Sequence, residues 1–245
     1  MRYNTPTFAT VLISVLALLL SSSVATAQWT NRYSKLNDFG HHVYLEEHEL
    51  PVLAYGITDP APAPDGKHLA FASRGWLWNL NLDMGKAVRL TQGSGIDSRP
   101  RWSPDGDKLT FVRDEGRNTA VIVLDLKNGT ETRIDTEAIE LDPEFSADGE
   151  WLYYSSGISG SINLRRKNLS SGVEEEFTDL GQVERNSRSL SEGKSLMYLH
   201  GRGANRVLRI KDFDAGTDTI AVSQTLTYHF TADAHPDQRL IVYSA

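Results

Sequence analysis

The sequence of 245 residues contains no cysteine. No disulfide can therefore stabilise the fold, and neither a thiolate metal site nor a lipid-modified cysteine is available. The chain also lacks a Gly-x-Ser-x-Gly motif, a glycine-rich phosphate loop and a His-Glu-x-x-His pair. The sequence thus predicts no catalytic residues, no metal site and no cofactor.

An excess of positive charge is missing as well. The formal net charge is −7, which argues against binding to nucleic acid or to anionic lipid, because both depend on clustered Lys and Arg. The acidic balance is typical of a soluble surface.

Long apolar runs are absent except at the N-terminus. Arg2 precedes an apolar run from Phe8 to Leu20, and the small-residue triplet Ala25-Thr26-Ala27 follows it. This order predicts a signal peptide, residues 1–27, cleaved after Ala27. The run is 13 residues long, short of the roughly 20 that span a membrane, so we expect no transmembrane segment after cleavage. The predicted location is periplasmic or secreted. Residues 28–58 are expected to form a polar arm with one or two strands.

A turn motif recurs five times in the remaining chain. Its clearest copy is Trp102-Ser103-Pro104-Asp105-Gly106, a turn sequence in which proline presets one backbone angle and glycine accepts a positive φ. The acids of the five turns, 40 to 45 residues apart, are Asp65, Asp105, Asp148, Glu192 and Asp237. Four and six residues after each acid an aliphatic and an aromatic residue recur: Leu69, Leu109, Leu152, Leu196 and Ile241, then Phe71, Phe111, Tyr154, Tyr198 and Tyr243.

Each complete repeat predicts four strands. In the second repeat these are Ser98–Trp102, Lys108–Arg113, Thr119–Leu126 and Glu131–Asp135. Four short strands in 40–45 residues fit a β-propeller blade, whose two faces are covered by its neighbours. We therefore predict an all-β propeller with four complete four-stranded blades and a partial fifth. The repeats lie near residues 59–97, 98–140, 141–184, 185–227 and 228–245. A pair of immunoglobulin-like sandwiches would not need the same turn five times in one register.

The repeated segment resembles a known family. Trp102-Ser103-Pro104-Asp105-Gly106, with Leu109 and Phe111 behind it and Arg89-Leu90-Thr91 closing the preceding unit, is similar to the WD40-like (PD40) repeat of TolB-type propellers. The resemblance covers about residues 59–245. It implies a propeller that binds proteins, and similar repeats form the propeller domains of tricorn-like and prolyl-oligopeptidase-like peptidases and of some exported amidohydrolases. It is specific for the blade and not for an activity.

The partial fifth repeat leaves two interpretations open. In one, the chain is the front part of a longer protein, with further blades and a catalytic domain after Ala245. In the other, His42–Glu47 and Val52–Ile57 supply the outer strands of the fifth blade and close a five-bladed ring. In either case the apolar strand that ends at Ala245 needs a partner, because an unpaired inner strand promotes aggregation.

Two sets of polar residues are better explained by structure than by chemistry. An Asp before Gly in a turn bonds local backbone groups, so the turn acids are expected to be structural and not calcium ligands. His41, His42, Glu46, Glu47 and His48 lack the spacing of a zinc site and alternate between the faces of a strand.

Candidate binding residues come from the loop geometry of a propeller. Loops that enter the innermost strands and loops that join the second and third strands emerge on one face, around the channel. The charged residues predicted there are Asp97, Arg99, Asp142, Arg185, Arg113, Arg117 and Arg202. Mixed Arg and Asp suit a polypeptide ligand, so we expect a protein or peptide partner. Replacing Arg99 and Arg185 by Glu is expected to weaken that partner's binding without lowering thermal stability.

Two functions from different classes therefore remain. The first is an exported, non-enzymatic scaffold that binds envelope proteins or peptides through its loop face. The second is the substrate-gating propeller of a hydrolase, a metal-dependent amidohydrolase or a serine peptidase, whose catalytic domain lies beyond Ala245. The oligomeric state is not predicted by any feature of the sequence.

Overall fold

The computed structural model describes residues 56–116, 118–190, 193–202, 205–223, 232–235 and 240–243. These residues form four antiparallel four-stranded sheets and one two-stranded sheet, each with its strands in chain order. The strands of the first two sheets are β1 (Thr58–Pro62), β2 (His68–Ser73), β3 (Trp76–Asn81), β4 (Lys86–Arg89), β5 (Ile96–Trp102), β6 (Lys108–Asp114), β7 (Thr119–Asp125) and β8 (Glu131–Ile134).

The same plan continues through the rest of the chain. The strands of the third and fourth sheets are β9 (Glu140–Phe145), β10 (Trp151–Ser156), β11 (Asn163–Asn168), β12 (Glu174–Glu176), β13 (Glu184–Leu190), β14 (Ser195–His200), β15 (Val207–Asp212) and β16 (Thr217–Val222). The two-stranded sheet consists of β17 (Ala232–Ala234) and β18 (Ile241–Tyr243). The fold class is confirmed: four blades and the first two strands of a fifth, with no helix interrupting the sheets in the described ranges.

The repeated turn acids shape the hairpins as the sequence predicts. Asp65 Oδ1 accepts the backbone N–H groups of Lys67 at 2.8 Å and His68 at 3.1 Å. Asp105 Oδ1 accepts from Asp107 N at 3.0 Å and from the Ser103 hydroxyl at 2.6 Å. The His68 ring, whose Nδ1 lies 2.6 Å from Asp65 Oδ2, and the Ser103 hydroxyl contribute most to lowering the pKa of these two acids, and the backbone N–H groups lower it further. The structural role of Asp65, Asp105 and Asp148 is confirmed.

The core lies between blades rather than inside one. Phe111 of blade 2 packs with Ala72 and Leu77 of blade 1, and Leu152 of blade 3 packs with Val121 of blade 2. Further clusters join blade 3 to blade 4 and blade 4 to the two-stranded sheet. Each buried Leu or Phe removed from water contributes on the order of 1.5–3 kcal/mol, so a blade depends on its neighbours for most of its stability.

The blades approach most closely at the inner hairpins. A Cβ added to Gly149 would lie 3.7 Å from Pro104 Cδ, and one added to Gly193 would lie 3.0 Å from the Ala147 Cβ of the preceding turn. The outer hairpins are open by comparison, because a Cβ at Gly172 or Gly216 would meet no atom within 4 Å. The four sheets are therefore wedges whose turns converge at the innermost strands and separate at the rim.

Several predictions fall outside the described residues. These are the signal peptide, the arm up to residue 55 with its histidine cluster, the proposed closing strands, Arg117, Glu192 and Asp237. No helix in the described ranges has the length and hydropathy needed to cross a bilayer.

Candidate functional site on the innermost strands

The first strand of every complete blade is broken at one place. Asp59, Arg99, Asp142 and Asn186 all have a φ between 51° and 55°, and each lies six residues before the acid position of its turn. The pairing register with the second strand shifts at the same points. Such a β-bulge bends the strand and re-aims neighbouring side chains. Asp and Asn tolerate this left-handed backbone better than most residues do, whereas Arg99 adopts it at a cost.

The bulges bring charged side chains of successive blades together. We define the first row as Asp59, Arg99, Asp142 and Arg185. Arg99 Nη1 donates to Asp142 Oδ1 at 2.6 Å, and Arg185 Nε donates to Asp142 Oδ2 at 2.8 Å. The backbone N–H of Arg99 also donates to Asp59 Oδ2 at 3.2 Å. One carboxylate in blade 3 thus joins arginines from blades 2 and 4.

Asp142 is the electrostatic centre of this row. Its side chain is 1% exposed and that of Arg185 is 5% exposed. Burial alone would raise the pKa of Asp142, but the charges of Arg185 and Arg99 outweigh it and hold the pKa well below its usual value. The carboxylate is therefore ionised at neutral pH, and the first row is closed by its own hydrogen bonds.

A second row of charges lies four residues before each turn acid. We define it as Arg101, Glu144, Arg188 and Asp233, one from each of blades 2, 3 and 4 and one from the two-stranded sheet. Arg101 Nε lies 3.5 Å from Glu144 Oε2, and Arg188 Nη1 lies 3.8 Å from the same oxygen. Arg188 Nε is 3.7 Å from Asp233 Oδ2. These ion pairs are longer than those of the first row.

Buried carboxylates also begin three of the innermost strands. Asp97 accepts from Arg113 Nε at 2.7 Å and from Arg113 Nη2 at 3.1 Å, and Arg113 also reaches Glu131 on the outer strand of the blade. Burial raises the pKa of Asp97, and the bonds from Arg113 offset part of that rise. Glu140 and Glu184 occupy the equivalent positions and are buried too.

Glu184 differs from Asp97 because its partner is titratable. His200 Nδ1 lies 3.0 Å from Glu184 Oε1, and the Thr178 hydroxyl donates to Glu184 Oε2 at 3.2 Å. Burial raises the pKa of Glu184 from 4.5 to about 7. Between these two pH values the folded protein holds a proton that the unfolded chain has released, so the contribution of Glu184 to the free energy of unfolding falls as the pH rises.

Glu184→Gln is therefore expected to raise the free energy of unfolding, relative to the wild-type protein, more at pH 8 than at pH 5. At pH 8 the wild-type protein must bury the charge of Glu184, whereas the amide carries none. Urea unfolding of both proteins from pH 4 to pH 8 measures this. Burial lowers the pKa of His200, so the histidine contributes in the opposite direction, and His200→Asn separates the two groups. An unchanged pH dependence in Glu184→Gln would contradict the assignment.

The predicted site residues divide into three groups. Asp97, Arg99, Asp142 and Arg185 lie within innermost strands and not in the loops before them. Arg113 is held by Asp97 at the end of β6, and Arg202 is exposed in the loop after β14. The geometry changes one expectation: Arg185→Glu would place two carboxylates together in a buried position, so this variant is expected to lose stability.

The second row was missed at the level of the sequence. The signal was present, because Arg101, Glu144, Arg188 and Asp233 share one register with the turn acids and alternate in charge. Among the residues that the structure describes, no group of three or more His, Cys, Asp or Glu side chains is placed to hold a metal ion.

A family model and a solved structure both indicate a TolB-type propeller. The sequence model described as "TolB beta propeller domain" (PD40) matches residues 54–245. The solved structure of TolB from Acinetobacter baumannii is similar with a TM-score of 0.66 at 24% identity, and covers 76% of this chain and 48% of that one. At this identity the structural likeness concerns the fold alone.

Two curated relatives carry different functional names. The Tol-Pal system protein TolB of Francisella tularensis subsp. mediasiatica is 22% identical over 76% of this chain and 44% of its own length. The uncharacterized peptidase YuxL of Bacillus subtilis is 28% identical over 56% of this chain and 23% of its own length. The chain spans less than half the length of either relative.

Proposed function

Because the chain belongs to the PD40 family of TolB-type β-propeller domains, we propose that it is an exported, non-enzymatic scaffold that binds envelope proteins or peptides through the face where its innermost strands begin. The signal-like segment 1–27 and the likeness to Tol-Pal system proteins support export. The division into segment 1–27, arm 28–58 and propeller 59–245 is part of this proposal.

One observation supports this face over the others. The first row of Arg and carboxylate side chains lies at or before the middle of the innermost strands, toward this face, whereas the second row lies nearer the inner turns at their other end. An apolar packing surface would not need charges there, since burying them has a desolvation cost. Loop residues on the same face, including Arg202, are exposed. Fixed charges beside exposed loops suit the binding of a polypeptide by backbone and side-chain hydrogen bonds.

Site-specific photo-crosslinking in the native host tests the proposal. A benzophenone amino acid replaces Arg202 on the proposed face, and in a control it replaces Asn128 in the β7–β8 turn on the opposite face. We expect discrete protein adducts from position 202 and none from position 128. Equal adducts at both positions, or none at 202, would contradict the assignment of the face.

A second candidate is the substrate-gating propeller of a hydrolase. The similarity to YuxL favours this candidate, because the match covers only 23% of that peptidase and most of the peptidase's length lies outside the matched segment. The gene sequence after the codon for Ala245 discriminates the two candidates. A downstream Gly-x-Ser-x-Gly would indicate a peptidase, and metal-ligand histidines on a β/α pattern would indicate an amidohydrolase.

A further inference from the structure

The turn that joins β7 to β8 contains the one Asn-Gly pair of the sequence, Asn128-Gly129. Such a pair loses ammonia when the glycine nitrogen attacks the asparagine Cγ, and glycine favours the attack because it has no Cβ to hinder a close approach. Residues 127–130 are all exposed, and a Cβ added to Gly129 would meet no atom within 4 Å. Water and the neighbouring backbone nitrogen therefore both have access to the carboxamide of Asn128.

The carboxamide of Asn128 is held by its oxygen. Asn128 Oδ1 accepts the backbone N–H of Thr130 at 2.8 Å and the Thr130 hydroxyl at 2.7 Å. Two donors on one carbonyl oxygen withdraw electron density from Cγ and stabilise the negative charge that develops on Oδ1 during the attack. Both side-chain hydrogen bonds of Asn128 to other described residues use Oδ1, so the Nδ2 group that must leave faces solvent.

One hydrogen bond opposes the attack. The N–H of Gly129 donates to the Asp125 carbonyl at 2.8 Å, so the nitrogen must leave that carbonyl before it reaches Cγ. The turn lies at the outer rim of blade 2, and three of the four residues of β8 are exposed. Hairpin ends with few buried contacts open locally at a low free-energy cost. The bond to Asp125 therefore slows the reaction without preventing it.

Asn168 in the β11–β12 turn of blade 3 provides an internal comparison. Its Oδ1 accepts the N–H groups of Ser170 and Ser171 at 3.2 and 2.8 Å and both of their hydroxyls at 2.9 Å. The next residue is Leu169, whose N–H donates to the Glu150 carbonyl at 2.9 Å and whose side chain packs against the core cluster between blades 2 and 3. A bulky neighbour held in a packed cluster hinders the approach of its nitrogen to Cγ. Asn168 thus shares the polarised oxygen and lacks the accessible nitrogen.

We propose that Asn128 is a site of non-enzymatic modification, at which the nitrogen of Gly129 displaces ammonia from the carboxamide while Thr130 polarises its oxygen. The Gly129 nitrogen gives its proton to hydroxide and bonds to Cγ, the Cγ–Nδ2 bond breaks, and Nδ2 takes a proton from water and leaves as ammonia. Water then opens the resulting cyclic imide at either carbonyl carbon, which gives aspartate or isoaspartate. The sequence of steps consumes water and transfers no electrons. The inference does not depend on the proposed function.

Incubation of the purified protein followed by tryptic peptide mapping tests the site. Trypsin cuts after Lys127 and after Lys167, which places Asn128 and Asn168 in separate peptides. Mass spectrometry measures the conversion of each asparagine, protein isoaspartyl methyltransferase identifies isoaspartate, and a sample digested without incubation corrects for conversion during digestion. We expect Asn128 to be converted at least about tenfold faster than Asn168, which corresponds to roughly 1.4 kcal/mol in the activation barrier. Conversion is expected to be faster at pH 8 than at pH 6, because the attacking nitrogen must lose its proton.

Two variants separate the roles of the turn residues. Asn128→Gln is expected to abolish conversion in its peptide, because attack on the longer side chain requires a larger ring that forms less readily. Thr130→Val keeps the backbone N–H and the shape of the side chain but removes the hydroxyl. It is expected to slow conversion about fivefold, the effect of one hydrogen bond between neutral groups. Circular dichroism of each variant checks that the fold is unchanged.

The inference is overturned if Asn128 keeps its carboxamide through the incubation, if it is converted no faster than Asn168, or if its conversion does not accelerate with pH. An unchanged or faster conversion in Thr130→Val would overturn the role of Thr130. Isoaspartate at position 128, formed faster than any product at Asn168 and slowed in Thr130→Val, would support the whole proposal.

Discussion

Replacing Asp142 by Asn is expected to lower the free energy of unfolding by about 3–5 kcal/mol, the range found when one partner of a buried ion pair is removed. Asp142 is the single carboxylate between Arg99 and Arg185 in the first row. Without its charge, Arg185 stays buried and loses the carboxylate that offsets part of its desolvation. Asn is nearly the same size and tolerates the φ of 51° found at this position, so the variant isolates the charge.

Urea unfolding at pH 7 measures this loss. Glu115→Gln is the matched control, because the ion pair that Glu115 forms with Arg133 is partly exposed. The side chain of Glu115 is 44% exposed and that of Arg133 is 34% exposed. An exposed pair of this kind contributes less than about 1 kcal/mol. Equal losses in the two variants would mean that the first row has no special role in joining blades 2, 3 and 4.

The blade and its register could be predicted from the sequence because they depend on local chemistry. Pro104-Asp105-Gly106 specifies a turn by itself, and Leu109 and Phe111 specify the buried face of the strand that follows. The second-repeat strands are confirmed to within two residues. The next repeat then covers the apolar face of each blade. The propeller therefore follows from two periods in the sequence: the alternation of side chains along each strand and the repeat of the blade every 40–45 residues.

The aromatic residue six positions after each turn acid has different partners in different blades. Phe111 pairs across the strands with Ile122, whereas Tyr198 pairs with Arg209. The Tyr198 hydroxyl donates to Asp218, which also binds Arg209 at 2.9 Å. The change from Phe to Tyr therefore accompanies a polar partner on the third strand. The sequence shows both changes, but only the strand register joins them.

The contacts of the first row could not be predicted because they depend on the bulges. A regular strand would direct Arg185 and Asn186 to opposite faces. The bulge alters that alternation, so that Arg185 of blade 4 reaches Asp142 of blade 3. No turn motif or composition marks such a bulge, although three of the four left-handed residues at the bulges are followed by proline, namely Pro60, Pro100 and Pro143. The sequence therefore predicts loop positions for binding residues that lie within strands.

The wedge arrangement of the blades predicts which hairpins can be joined covalently. Ala147 and Gly193 lie in the inner turns of blades 3 and 4, and their Cβ atoms would be 3.0 Å apart. Disulfide-bonded Cβ atoms are about 3.5–4.5 Å apart, so the two turns must separate by about 0.5 Å or more, and a side chain at Gly193 must also adopt a φ of +88°. The protein has no cysteine of its own, so a pair introduced here has no competing thiol.

The most direct test of the account is disulfide formation in two double-cysteine proteins. One carries Ala147→Cys with Gly193→Cys at the inner turns, and the other carries Gly172→Cys with Gly216→Cys at the outer turns of the same two blades, where no atom lies within 4 Å of either added Cβ. After mild oxidation of dilute monomer, intact mass and thiol counting are expected to show the intramolecular bond in the inner pair and free thiols in the outer pair. Bond formation in the outer pair only, or in neither, would contradict blades that converge on their innermost strands.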